Sequence, residues 1–433
     1  MRILLSCHAF FPDYHAGTET LTKVTAQYFA ERGHDVAILV PETIALSGNA
    51  AAPSMREDNF DGVKLFRMKT PLVQGTFADR YLQTLENPAL DGLYNDLIRS
   101  YRPDVLHVFH LMNVTGNIVF AAKRAGVKVV ATPTDFWPIC PTYQLLDWME
   151  ENCGTHDYID CLKCHLAIQP SAQKKSFENK ETFLKENPEF AQFESALLRR
   201  ALYFHQVFAQ YDLVVPSNTF MRDTLAEYEL ISPDTKIVPF GAPSEKSTSR
   251  NRAPKRKGDK IRLGFAGTIR HSKGLHVLLE ALEKCKHRSR FEVEVYGMVH
   301  EAGYFEAMNK KMAKLPEVKF LGTFHTSETE NVLAGWDCLV IPSVWHENSP
   351  LIGYTSLQVK TPVLVSDSAG LRDLVHLFNG GELFPLGDSA ALAQSLDKLA
   401  ENPELLNDWT ERIAPVPTMR DMANRLLESY ATL

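Results

Sequence analysis

Four stretches of this 433-residue chain hold residues whose types and spacing could do chemistry. The first is Gly267-Thr268-Ile269-Arg270-His271-Ser272-Lys273-Gly274-Leu275. A glycine for close backbone approach, two cations and a helix start make a cradle for a diphosphate, and a solvated basic loop is the bland reading of the same residues. The second is Pro342-Ser343-Val344-Trp345-His346-Glu347-Asn348-Ser349-Pro350-Leu351. Here the Glu347 carboxylate can accept two hydrogen bonds from sugar hydroxyls while backbone donors beyond it face phosphate. In the third, His8-Ala9-Phe10-Phe11-Pro12 precedes Ala16-Gly17-Thr18-Glu19, so small residues open a helix where N–H groups can meet an anion. The fourth is a cysteine set, Cys140, Cys153, Cys161 and Cys164, with His156 and His165 nearby. Four such thiols fit a closed, structural zinc site that staples a polar insertion; reduced structural cysteines and an iron–sulfur cluster are the other readings.

These stretches need elements to hold them. Residues 2–6 read as a short apolar strand, 20–32 as an amphipathic helix ended by Gly33, and 36–40 as a buried strand. Strands over 105–109, 127–132, 213–215 and 236–239, with a helix near 118–125, continue the alternation. Near-continuous apolar strands are what a parallel sheet covered on both faces produces. Residues 244–260, rich in Ser, Lys, Arg, Asn and Pro, predict a linker. A second series follows, with strands over 261–266, 291–296, 318–321, 338–341 and 361–365 and helices over 275–284 and 354–359. Residues 419–433 predict a terminal amphipathic helix, and 164–210 a charged, helix-prone insertion. The expected fold class is α/β, with two Rossmann-like domains in tandem. The expected boundaries are 1–242 (with a Cys-rich insertion at about 138–200), a linker at 243–260, a second domain at 261–412 and a terminal helix at 413–433. In open parallel sheets ligands sit at the carboxyl ends of the strands, where the glycine-bearing and Glu347 loops fall.

Composition narrows the class further. With 45% hydrophobic and 23% charged residues the chain is that of a globular protein, not a disordered one. Lys+Arg of 46 against Asp+Glu of 53 gives a net charge of -7, so no basic field is available for a polyanion, and nucleic acid is not an expected partner. Polar residues interrupt Met1-Arg2-Ile3-Leu4-Leu5-Ser6-Cys7-His8 before a signal-peptide core forms, and no stretch has the ~18 apolar residues of a spanning helix. A cytoplasmic location is the expectation. Seven cysteines in so long a chain argue against a disulfide framework, and Asn113-Val114-Thr115 is then a chance glycosylation match. Cys285, Cys338 and the Trp336-Asp337 pair read as packing residues.

Taken in order, the motifs resemble those of family 4 glycosyltransferases of the GT-B fold. They are the opening strand and Gly17 loop, Glu31-Arg32-Gly33-His34-Asp35-Val36, Arg102-Pro103-Asp104-Val105-Leu106-His107, Thr132 with Asp135-Phe136-Trp137 and Ile139-Cys140-Pro141, Val215-Pro216-Ser217, Val238-Pro239-Phe240-Gly241, Lys273-Gly274 and Glu347 to Leu351. The resemblance implies two domains facing across a cleft, a nucleotide-diphosphate sugar held mainly by the C-terminal one, and an acceptor on the N-terminal one. It implies that Lys273 and Arg270 neutralise the diphosphate beside Gly267 and Thr268, that Gly17 lets the N-terminal backbone close on it, and that Glu347 holds sugar hydroxyls. Asn348, Ser349, Pro350 and Leu351 would form the loop over sugar and phosphate, and His110 would face the donor sugar or acceptor. It implies retention of anomeric configuration, with the departing phosphate taking the acceptor proton and no catalytic metal. The acceptor would be a glycan, a lipid-linked glycan or a small molecule, the lipid-linked case placing the protein at the inner face of the membrane.

Three positions depart from the family pattern. Thr355 stands where a second Glu grips the nucleotide, Thr268 where an Arg follows the phosphate-loop glycine, and Thr134 where a His is common. A non-catalytic sugar-nucleotide-binding or scaffold protein with a degraded site is therefore the rival reading. A sugar-nucleotide epimerase explains the Glu347 loop less well.

Overall fold

The computed structural model describes residues 1–14, 16–42, 52–70, 76–147, 151–154, 161–164, 185, 188, 191–244 and 253–433. Among them the apolar runs become the central strands of two sheets. The first holds β1 (Arg2–Ser6), β2 (Asp35–Pro41), β3 (Ser54–Phe60), β4 (Val63–Lys69), β5 (Val105–Val108), β6 (Lys128–Ala131) and β7 (Leu213–Val214). They lie in the order β3-β4-β2-β1-β5-β6-β7. All neighbours are parallel except the β3/β4 pair. The second holds β8 (Ile261–Ala266), β9 (Phe291–Tyr296), β10 (Val318–Phe320), β11 (Cys338–Ile341), β12 (Val363–Ser366) and β13 (Gly381–Phe384), in the order β10-β9-β8-β11-β12-β13 and parallel throughout.

Helices cover both faces of each sheet, which is why Ile3, Leu4 and Leu5 of β1 and Val363, Leu364 and Val365 of β12 are all fully buried. The strand order reverses at β1, flanked by β2 and β5, and again at β8, flanked by β9 and β11. Loops leaving the strands at such a reversal diverge and open a crevice. This topology selects the loops after β1, β5, β8 and β11 as the places where a ligand fits.

The terminal helix, Met419–Tyr430, does not stay with the second sheet. Its apolar face, Met419, Met422, Ala423, Leu426 and Tyr430, joins the core formed by Ile3, Leu5 and Phe29 of the first. Tyr430 places its hydroxyl on His107 Nδ1, Tyr28 donates to Asn424 Oδ1 at 2.9 Å, and Arg420 pairs with Glu31. Trp336 is fully buried and donates to Glu294 at 2.8 Å, while buried Asp337 accepts from the Arg262 N–H at 2.8 Å and pairs with Lys255 at 2.7 Å. Cys285 and Cys338 are core residues.

Some expectations are corrected. Residues 236–239 form no strand, although Val238 N–H bonds Pro216 O at 2.9 Å; a single ladder bond leaves them irregular. The first helix is Gly17–Glu31, opening three residues early, with Ala16 in extended geometry before it and no side-chain cap. The hairpin-like pair β3/β4 lies where no strand was expected. His156, His165, residues 245–252 of the expected linker and most of 165–190 lie outside the described residues.

Candidate active site

At the β8/β11 reversal the chain leaves β8 through Gly267 and makes one 3-10 turn, His271–Lys273, before helix Leu275–Lys284. Gly274 joins the two with φ of 71°, a left-handed geometry that favours glycine, and a Cβ there would sit 1.8 Å from Pro342 O. The bare Cα therefore lets the loop after β8 lie directly against the loop after β11. That contact brings Lys273 Nζ to 2.6 Å from Glu347 Oε1, with the Ser343 hydroxyl donating to the same oxygen at 2.8 Å. The ammonium also lies 4.8 Å from the centre of the Trp345 ring. Burial pushes the Glu347 carboxyl up, but the Lys273 ammonium and the hydrogen bonds from Lys273 and Ser343 outweigh it and hold the group below the usual glutamate range. The result is a buried, ionised carboxylate whose counter-charge is a side chain still a quarter exposed.

This pair faces a cavity of about 420 Å3. Gly267, Thr268, Lys273, Ser343, Glu347, Ser349, Pro350 and Leu351 line it, as does Gly17 from the first domain. A Cβ on Gly17 would be 3.7 Å from Leu351, so the loop after β1 reaches over the cavity to touch the second domain. Tyr296, Gly297, Thr323 and Phe324 close the far end. Reasoning from sequence missed these four, although Tyr296 ends β9, Gly297 follows it, and Thr323 and Phe324 follow β10, so they obey the strand-end rule that found the others.

Four expected members, His110 of the first domain among them, do not line this cavity. Arg270 turns to Glu301, its Nε 3.5 Å from Oε1, and does not line the cavity. Glu301 also accepts from the His271 N–H at 2.9 Å, so this carboxylate fixes the loop and draws Arg270 off the phosphate position. Thr355 is buried in helix Leu351–Gln358 and donates to Leu351 O at 3.0 Å; its hydroxyl serves its own helix and does not line the cavity. Asn348 points away from the cavity into the first domain, giving Nδ2–H to Thr134 O at 2.7 Å.

In the first domain, His110 follows β5 beside the loop from β1. Its Nδ1 accepts from the Met112 N–H at 3.0 Å, so the proton resides on Nε2, which points to Asp135 at 3.0 and 3.2 Å. Burial pushes Asp135 up, but the electrostatic pull of the His110 Nε2–H, its hydrogen bond and that of the Trp137 N–H outweigh it, so the carboxyl lies below the usual aspartate range and stays ionised. The His8 ring packs 4.2 Å from that of His110, and burial with the neighbouring His110 pushes it down to about 3, so His8 is neutral. Trp137 stacks beyond at 6.2 Å.

The cysteines of the insertion are neighbours without forming a coordination sphere. Cys140 and Cys164 are buried, and Cys153 and Cys161 are half-buried. Burial first, then the nearby Cys161, Cys140 and Cys153, raise the Cys164 thiol to about 12. Among the described residues, the group whose ligand atoms all lie within 4.8 Å of one another is a different one, Cys7, His8 and Glu19.

Two parallel-sheet α/β domains meeting over a cavity at their strand ends define the GT-B class of fold. Two family models match in tandem: "Glycosyl transferase 4-like domain" over residues 16–157 and "Glycosyl transferases group 1" over 246–414. The chain belongs to the family 4 glycosyltransferases. It is similar to the O-antigen chain mannosyltransferase C of Escherichia coli, 28% identical over 233 residues, covering 50% of this chain and 59% of that one. Such alignments span 35 to 59% of the curated relatives' own lengths. Its fold resembles sucrose-phosphate synthase from Thermosynechococcus elongatus, with a TM-score of 0.64, 14% identity and coverage of 100% and 98% of the two chains. It also resembles HepE of Anabaena, solved in complex with UDP, with a TM-score of 0.61, 14% identity and full coverage of both.

Proposed function

We propose that this protein transfers a sugar, with retention, from a nucleotide-diphosphate sugar to a glycan, lipid-linked glycan or small-molecule acceptor. The observation that carries the reading is the half-buried Lys273–Glu347 pair at the strand reversal of the second sheet, facing the cavity that Gly17 closes from the first. A bound diphosphate would share the Lys273 ammonium with Glu347 and approach the backbone of Gly267 and Thr268. Glu347 would then accept from sugar hydroxyls, and the loop Ser349-Pro350-Leu351 would cover them. With Arg270 and Thr355 off the cavity, Lys273 is its cation among the described lining residues, so the charge that develops on the leaving phosphate falls chiefly to Lys273 and to backbone N–H groups. In the transfer itself the bond from the anomeric carbon to the phosphate oxygen breaks and the bond to the acceptor oxygen forms on the same face. The departing phosphate oxygen takes the acceptor proton. His110 would face sugar or acceptor with its ring, since both its nitrogens are engaged, and the polar group it sets there would be the Asp135 carboxylate.

We place the donor domain at the second sheet, the acceptor domain at the first, and the protein in the cytoplasm, with the inner membrane face as its station if the acceptor is lipid-linked. Among the described residues, no helix is long and apolar enough to cross a membrane. UDP in the HepE structure supports a nucleotide as ligand of this fold. Zinc on Cys140, Cys153, Cys161 and Cys164 would staple the insertion, and its binding would have to draw together four thiols that make no ligand group among the described residues. About one zinc per chain on elemental analysis supports it, and metal-free protein with intact folding overturns it.

The test of the transferase reading is a thermal-shift screen against UDP, GDP, ADP, dTDP and their sugar conjugates, since a ligand of the native state raises stability by RT ln(1 + [L]/Kd). A shift with one sugar nucleotide that Lys273→Ala abolishes is expected. A shift without any turnover favours the sugar-nucleotide-binding rival, and no shift with any conjugate overturns both.

A further inference from the structure

We propose that Asn218, in the first domain, is a positioning residue that sets the Glu347 loop of the second domain, so that domain closure and assembly of the donor site are one event. The catalytic part of this inference rests on the transferase reading; the contact itself does not. Asn218 follows β7 and is buried. Its side chain has two separate duties. The Oδ1 accepts from the Met221 N–H at 2.8 Å and caps helix Thr219–Glu227. The Nδ2 crosses between the domains, donating to Asn348 Oδ1 at 2.6 Å and to Asn348 O.

Asn348 has little capacity left for anything else. Its Oδ1 also accepts from Ser217 Oγ at 2.9 Å, and its Nδ2 donates to Thr134 O at 2.7 Å. Every one of these partners belongs to the first domain. From its own domain the loop is backed by Gly370, whose N–H bonds Glu347 O at 2.8 Å and whose Cβ, if present, would lie 1.9 Å from Asn348 O. The peptide joining Glu347 to Asn348 is thus clamped between one domain and the other. Phe220 stacked on His346 at 4.5 Å and Thr219 Oγ1 donating to Asp373 at 3.1 Å extend the same seam. If the domains part, the amide and carbonyl of Asn348 lose their partners together, and the backbone that aims the Glu347 carboxylate is released. Buried polar groups of this kind are costly to leave unpaired, so the closed geometry is favoured as a unit.

Asn218→Asp separates the two duties. Aspartate caps a helix as well as asparagine does, but it offers no Nδ2–H and sets a carboxylate against two Asn348 oxygens. Hydrogen exchange read without any substrate is expected to quicken about tenfold or more at the amides of 345–349, while those of 221–227 keep wild-type protection. Turnover is expected to fall by about tenfold, with the affinity for bare nucleoside diphosphate unchanged. Ser217→Ala, which removes one donor and leaves the cap alone, carries the same test in milder form should the aspartate variant not fold. Unchanged exchange at 345–349 in both variants overturns the clamp, and faster exchange with undiminished turnover overturns the positioning role. Faster exchange in a protein that transfers no sugar leaves the clamp standing and refutes the transferase reading instead.

Discussion

Lys273→Ala removes the positive partner of a carboxylate that cannot easily leave its site. Glu347 is 7% exposed, and in the variant only the Ser343 hydroxyl remains on the oxygen that Lys273 held at 2.6 Å. Breaking a fully buried pair costs about 3–5 kcal/mol because one charge is left uncompensated. Lys273 is 25% exposed and the cavity can admit water, so a discounted figure of about 2 kcal/mol is the expectation. In a domain of this size that lowers the melting temperature by about 4–8 °C. The pH dependence gives the sharper test. In the wild type Glu347 lies below its ordinary value of 4.5, so its ionised form contributes stability at neutral pH that is lost as pH falls through the folded value. In the variant burial is no longer offset, the folded value rises above the unfolded one, and the destabilisation is full at neutral pH and relieved on acidification. Calorimetric scans at about pH 7.5 and about pH 5.5 should therefore show a deficit that narrows at the lower pH, and adding Glu347→Gln should recover most of it in a double-mutant cycle. An equal deficit at both pH values, or no recovery in the double variant, would refute the account of this pair.

Other outcomes follow from the same geometry. Gly274→Ala forces a Cβ onto Pro342 O at 1.8 Å in a left-handed backbone, so a loss of more than about 2 kcal/mol and of nucleotide binding is expected by melting and titration. Asp135→Asn removes the charge facing His110 Nε2–H at 3.0 Å, and steady-state kinetics should show kcat down by about tenfold with the donor KM little changed. Leu426→Ala empties a fully buried site where the terminal helix meets the first domain, and should cost about 2–5 kcal/mol in the unfolding of that domain while nucleotide binding by the folded protein persists.

Much of this arrangement was legible in the residues, for identifiable reasons. The parallel strands are covered on both faces, so Arg2–Ser6, Ile261–Ala266 and Cys338–Ile341 stand out as apolar runs. Gly267, Lys273 and Glu347 were legible because the strand-end rule turns chain position into spatial position. Strand β3 was not, since Arg56, Glu57, Asp58 and Asn59 carry no apolar period and the strand exists by pairing with β4. Arg270 misled because its carboxylate partner, Glu301, arrives from a later loop and only the folded chain shows that it is taken. The terminal helix was readable as an amphipathic helix, but its partners, Phe29 and His107, lie across the whole chain. Asn348 is the same case in the site itself: its residue type fits a loop over a ligand, and its direction is set by Ser217 and Asn218, some 130 residues away.

The most direct test of the account is to incubate the protein with the sugar nucleotide that stabilises it and with candidate acceptors, following the anomeric proton of the transferred sugar by NMR. The account predicts a new glycosidic bond of the same anomeric configuration as the donor, formed by the wild type and lost in Lys273→Ala. An inverted product, or donor binding with no transfer to any acceptor class, would contradict it.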